Sequence, residues 1–183
     1  MATTNANTPA KPSYIIPEKV HSFNVYDGVS KLVGISGEVE MPKFSSLSDT
    51  ISGAGIIGEY DAPTMGAFSS MQINIPFRQM YSGNLFDLIK SQNDLVLRAA
   101  IQYNDVTNSK RDTVQMVVTV RGATKEFDPG KIGAGKSTES GITKEIYYIK
   151  IAINGVTCIE LDKFNSVYVV NGVDMLSKVR SQI

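Results

Sequence analysis

The stretch from Gly130 to Asn165, GKIGAGKSTESGITKEIYYIKIAINGVTCIELDKFN, decides how this chain folds. Its opening residues place Gly130, then four intervening residues, then Gly135, Lys136 and Ser137, the full pattern of a phosphate-binding P-loop. That chemistry requires a strand running straight into the glycines and a helix leaving them, so that backbone N–H groups and the positive end of the helix dipole meet the phosphate. The residues after Ser137 build something else. Gly141 falls within the first turn of the required helix, and a β-branched, aromatic run with period 2 then extends to Ile153. Asn154 and Gly155 supply a two-residue turn, because both tolerate positive φ, and a second strand returns toward Phe164. On the entry side, the preceding strand is expected to end near Arg121, with GATKEFDP separating it from Gly130. No apolar run ending in aspartate offers a partner for magnesium. Gly130–Thr138 therefore reads as a connecting loop inside a β protein.

Working outward, most of the chain carries strand patterns joined by glycines. HSFNVYDGV and KLVGISGEVEM read as strands, the second closed by Pro42. Residues 44–63, rich in Ser and Gly, read as a long irregular loop or the arm of a long hairpin. In TMGAFSSMQINIPF, Met65, Ala67, Met71, Ile73 and Ile75 share one parity, which predicts one half-buried strand. The helix pattern in GNLFDLIKSQN is the clearest, with Asn84 as its N-cap, Leu85, Leu88 and Ile89 on one stripe, and Asn93 at its end. DLVLRAAIQYND and DTVQMVVTVRG follow as strands joined by a polar turn around Asn108 and Ser109. VVNGVDMLSKVRSQI predicts a short strand, a turn at Asn171 and Gly172, and a brief helix begun by Asp174.

Composition narrows the chemistry. With 183 residues the chain suits one domain, residues 14–183, preceded by a polar arm over residues 1–13 too poor in apolar side chains to offset its ordering entropy. Eighteen basic and eighteen acidic residues leave no net field to draw in nucleic acid or an anionic membrane, and self-association is correspondingly less opposed. One cysteine and one histidine, Cys158 and His21, permit neither an internal disulfide nor a Cys/His zinc cluster. Cys158 reads as a packing residue and His21 as a surface residue of a strand. The carboxylates Glu38, Glu40 and Asp27 read as solvated charges on strand faces. No catalytic, cofactor or metal residue is expected, and the chain is not expected to be an enzyme. The polar start is no signal peptide, and no apolar run approaches a membrane span, so synthesis in a cytoplasm is expected.

With no site chemistry to follow, the pattern of short motifs carries more weight. NVYDG (Asn24 to Gly28), MPKF (Met41 to Phe44), GAGIIG (Gly53 to Gly58), VRGATKEFDPG (Val120 to Gly130), the pair Glu139 and Ser140, and VNGVD (Val170 to Asp174) occur in order along most of residues 20–180. In this arrangement the chain resembles the major tail tube proteins of contractile-tailed phages, a family also found in phage-tail-like bacteriocins. The resemblance implies a β-sandwich-like barrel with one flanking helix, assembling as hexameric rings that stack into a hollow tube inside a sheath. It implies a structural virion protein without cofactor. Its partners would be its own copies and the sheath, tape-measure, baseplate and terminator proteins, with DNA passing through and gripped nowhere sequence-specifically. The arm is longer than the family pattern, and the loop from Phe127 to Gly141 carries extra glycine and lysine.

Candidate assembly contacts follow from the exposed loops of such a subunit: Gly53, Gly55 and Gly58 in one, Gly130, Lys131, Gly135 and Lys136 in a second, and Asn171, Gly172 and Asp174 near the C-terminus. Two alternatives stand beside the phage tube: the tube of a contractile secretion or bacteriocin system, and a monomeric β-sandwich module binding carbohydrate. The last lacks the usual stacking platform, since the chain has no tryptophan.

Overall fold

The computed structural model describes residues 14–79, 81 and 83–183; the arm expected over residues 1–13 lies outside the described residues. The elements run β1 (Ile15–Asp27), β2 (Ser30–Leu32), β3 (Ser46–Ser52), β4 (Glu59–Phe68), β5 (Gln72–Phe77), α1 (Gly83–Lys90), β6 (Leu95–Asp105), β7 (Lys110–Asp128), β8 (Ser140–Ile153), β9 (Val156–Asp162), β10 (Val167–Val170), β11 (Val173–Asp174) and α2 (Ser177–Arg180). The fold is sheet-dominated, with two short helices among the described residues.

β8, the strand whose sequence rejects a helix, organises the sheet. One of its edges pairs with β7 from Gly141 to Ile153. Its other edge is shared, with β5 on Ser140 to Glu145 and β9 on Tyr148 to Ile153. From β7 the ladder continues through β6 and β1 to β2, all antiparallel. Beyond β2 the chain reaches Ile35, which bridges Phe77 of β5. There the Ser36 N–H donates to the Pro76 carbonyl at 2.9 Å and the Arg78 N–H to the Gly34 carbonyl at 2.8 Å. Since β5 pairs back onto β8, the path closes on itself as a small barrel, which removes most free edges. β9, β10 and β11 continue from β8 as a wing outside that closure.

Strand alternation fills the barrel. Ile73, Ile75 and Phe77 from β5 meet Leu95 and Leu97 of β6, Val118 and Val120 of β7, and Ile142, Ile146 and Ile149 of β8. Each such side chain contributes about 1.5–3 kcal/mol when fully withdrawn from water. Helix α1 adds Leu85 and Leu88 to the same cluster. Between Ile142 and Ile146 the interior also takes Lys144, almost wholly buried. Its ammonium donates to the Ser91 carbonyl at 3.2 Å, while the Ser91 hydroxyl donates to Asp27 at 2.8 Å. Burial lowers the pKa of Lys144, and the Asp27 carboxylate opposes that shift.

Several expectations need correction. The strand thought to end at Arg121 continues to Asp128, because β8 pairs with it across two register shifts that absorb Tyr147 of β8 and Lys125 of β7. The expected single strand over residues 64–77 is two, β4 and β5, parted at Ser69–Met71; Met65 is exposed, whereas Met71 is buried. Of KLVGISGEVEM, the ladder takes the start at β2 and the bridge at Ile35. Residues 44–63 take the hairpin-arm option. The helix spans Gly83–Lys90, so Asn84 lies inside it, and the C-terminal helix starts at Ser177, not at Asp174. The hairpin at Asn154 and Gly155 stands as expected, both residues at positive φ (49° and 80°).

Candidate assembly surface

The three groups of candidate contacts lie on three different connections. Gly53, Gly55 and Gly58 form the tip between β3 and β4, a hairpin that pairs with no other strand among the described residues. All of β3 is exposed. The tip presents Ile57, fully exposed, beside the partly covered Ile56. Such side chains held in water on an outstanding arm lack any role in the core, and clustered exposure of this kind marks contact surfaces. At its base the hairpin is tied down: Phe68 packs edge-on against Phe44 at 5.8 Å and against Tyr168 of β10 at 5.1 Å. The arm is therefore fixed at one end and free at the other.

Gly130, Lys131, Gly135 and Lys136 belong to the β7–β8 loop, where both lysines are exposed. The Lys131 N–H donates to the Thr138 carbonyl at 2.7 Å, and the Lys136 N–H to the Gly133 carbonyl at 3.2 Å. The strand-entry objection to a P-loop falls, since β7 runs to Asp128. The exit objection stands: β8 begins at Ser140, and no helix follows the glycines. The surroundings are also of the wrong sign. Glu126, Asp128 and Glu139 line a recess of about 300 Å³ at the base of the loop, and carboxylates repel a phosphate.

Asn171 and Gly172 make the turn between β10 and β11, and the Asn171 N–H donates to the Cys158 carbonyl at 2.8 Å. Asp174 is already engaged within the chain. It forms an ion pair with Arg180 and accepts from the Leu176 N–H at 3.0 Å, which fastens α2 to the wing. The Arg180 hydrogen bond holds the Asp174 carboxyl below its usual range.

Among the described residues no group of three His, Cys, Asp or Glu side chains is placed to hold a metal ion, and no helix is long and apolar enough to cross a membrane. His21 is exposed on β1, and Cys158 is half-buried on β9 with its thiol 3.6 Å from the Val156 carbonyl. The sequence reading missed the acidic recess, whose residues come from β5, the end of β7 and the start of β8. The alternation Glu126, Phe127, Asp128 was a visible sign, had β7 been carried past Arg121.

Edges supply the other feature. β1 pairs with β6 along its length, but with β2 only at Val25–Asp27, so residues 15–24 leave one edge unpaired among the described residues. Ile15, Ile16 and Val20 are exposed on that segment.

Comparison with known proteins gives the same direction. The model of the family described as phage tail tube protein FII matches residues 17–183. The tail tube protein of Escherichia phage P2 is 28% identical over 180 residues, covering 92% of this chain and 98% of that protein. Among solved structures, the sheath/tube terminator of an extracellular contractile injection system, PVC, in its extended state, superposes with a TM-score of 0.53. It covers 75% of this chain and 97% of the other, at 17% identity, a likeness of fold.

Proposed function

Because this chain belongs to the phage tail tube protein FII family, we propose that it polymerises as stacked hexameric rings into the inner tube of a contractile tail. The observation that carries the ring is the unpaired edge of β1. A strand left open over residues 15–24 is a template for pairing with another sheet. A heterologous contact repeated around an axis closes such edges into a ring-wide barrel. The β3–β4 arm, anchored at Phe68 and free at Gly53–Gly58, is suited to reach the next ring, and the β7–β8 loop with Lys131 and Lys136 supplies a second contact between copies. Asn171 and Gly172 are placed for a third.

Residues 14–183 act as one folding unit in this scheme. The tube is a conduit for genome delivery, as a virion part made in the host cytoplasm, with sheath, tape-measure, baseplate and terminator proteins as its partners. DNA passes without sequence-specific contact, in keeping with zero net charge. The chain's work is mechanical, with no enzymatic step. The fold likeness to an injection-system terminator favours one second option, a tube for envelope perforation by a particle without a genome. Negative-stain microscopy of purified protein tests the proposal: rings or hollow tubes support it, and isolated monomers at high concentration count against it.

A further inference from the structure

We infer that residues 64–71 form a rigid elbow that aims the β3–β4 arm at a second copy of this chain, with Glu145 and Leu176 as its positioning residues. This positioning role rests on the tube proposal and supplies the aim of one contact within it.

The elbow begins as a break in the hairpin ladder. Ser46 pairs with Phe68 and Ser48 with Pro63, so Leu47 alone stands opposite Thr64, Met65, Gly66 and Ala67. Unequal strands of this kind bend a hairpin and re-aim what lies beyond. Gly66 takes φ +71° at the bend. A Cβ there would lie 2.7 Å from a methyl carbon of Leu176, so the backbone rests directly on that side chain. Leu176 is itself buried and held. Its N–H donates to Asp174 at 3.0 Å, its carbonyl accepts from the Arg180 N–H at 2.9 Å, and Arg180 pairs with Asp174.

A second grip lies just below the bend, where β4 turns into β5. The Lys163 ammonium donates to the Ser69 carbonyl at 3.2 Å. The Glu145 carboxylate accepts from the Ser70 hydroxyl at 2.7 Å and from the Met71 N–H at 3.3 Å. Lys163 and Glu145 stand 3.8 Å apart, their side chains only 23% and 21% exposed. All three residues of the turn are thus fastened by charge-assisted bonds, the stronger kind. Glu145 alternates with the core-facing Lys144 and Ile146, which places this grip outside the barrel interior.

Beyond the elbow nothing steers the arm. β3 is exposed throughout, and the hairpin pairs with no other strand among the described residues. Eight residues of extended chain from Gly66 to Gly58 reach roughly 25 Å, so a 10° swing at the base displaces the tip by about 4 Å. Binding constellations work when held within roughly 10–20° of their productive geometry. An elbow fixed before assembly reduces the ordering cost of the contact that follows.

The test measures arm direction in the full-length protein by pulsed electron spin resonance between nitroxides at Ser52→Cys and Lys110→Cys, in a Cys158→Ser background. Dilution with unlabelled protein restricts the reading to distances within one copy. The expected result is one narrow distance in the parent and a broadened or split one in Leu176→Ala and Glu145→Gln, with Leu176→Met restoring the narrow distance. Hydrogen-exchange protection across β6–β8 should stay at the parent's level in Glu145→Gln, which keeps the test valid if Leu176→Ala loosens the fold. Sedimentation should show the critical concentration for assembly raised about tenfold in both variants. A broad distance in the parent, parent-like widths in both variants, or an unchanged critical concentration overturns the inference. If the parent forms no tubes, the tube proposal falls alone: widening in the variants still upholds the elbow, and equal widths overturn it.

Discussion

The carbonyl oxygen of Thr138 stands 2.0 Å from the point where a Cβ on Gly130 would sit. Gly130 is at φ +76°, so a side chain there is strained and sterically blocked together. The motif that imitates a P-loop is thus pinned by its first glycine for a packing reason: the loop's two ends approach too closely for any other residue. Gly130→Ala is expected to cost about 1–3 kcal/mol, measured by denaturant unfolding, whereas exposed Lys136→Ala stays within about 0.5 kcal/mol. Calorimetry with ATP should give no binding heat for the unaltered protein; binding lost in Lys136→Ala would restore the nucleotide reading.

Barrel closure gives a second expectation. Phe77 is fully buried where β5 bridges Ile35. Phe77→Ala removes a large core side chain and loosens the seam, with an expected loss of about 3–5 kcal/mol. Hydrogen exchange at the amides of Ser36 and Arg78, whose bonds cross the seam, should rise more than exchange in the β9–β10 wing.

The hairpin tip is expected to behave in the opposite way. Ile57 is fully exposed, so Ile57→Asp should change monomer stability by no more than about 0.5 kcal/mol and yet prevent sedimentable assemblies. Shortening the β7–β8 loop by removing residues 131–139 should likewise leave a folded chain that no longer polymerises. Normal tubes from either variant would remove that loop from the set of contacts.

The response to pH has a definite sign at each end. Asp174 and Asp162 titrate below their ordinary value of 3.8. Arg180 is the leading cause for Asp174; for Asp162, burial pulls upward but hydrogen bonds from Asn165 and the Phe164 N–H outweigh it. Their stabilisation is present above the unfolded pKa and is lost as pH falls through the folded one, so stability should drop below about pH 4. At the alkaline end, burial and the hydrogen bond to Glu160 push Tyr148 to about 12. Its contribution is complete below 10 and is lost as pH rises toward 12. Lys144 runs the other way: its lowered pKa makes the folded state more favourable as pH approaches 10.5. Comparing the parent with Lys144→Met and Tyr148→Phe between pH 8 and 11 separates the two slopes. A parent curve parallel to both variants would contradict these placements.

Strands and the helix were legible where one periodicity dominated a long run, as in β6, β8 and the Asn154–Gly155 hairpin. The boundaries went astray where pairing, not propensity, decides. β7 passes Arg121 because β8 offers partners as far as Gly141, a fact local sequence does not hold. Met65 matched the parity of Ile73 and Ile75, but the break at Ser69–Met71 places it on a separate hairpin in water. The candidate loops were legible from their glycines and lysines. The recess was not, because Asn74, Glu126 and Ser140 meet only after β5, β7 and β8 pair. Asp174 showed as part of a motif, and its bond to Arg180 is a tertiary consequence of α2 folding back.

Cryo-electron microscopy of the purified full-length protein at high concentration tests the central claim most directly. Hollow tubes of hexameric rings, with the unpaired edge of β1 closed by a neighbouring copy and the Gly53–Gly58 tip seated on the next ring, are expected. A protein that stays monomeric, or that associates with residues 15–24 of β1 still unpaired, would contradict it.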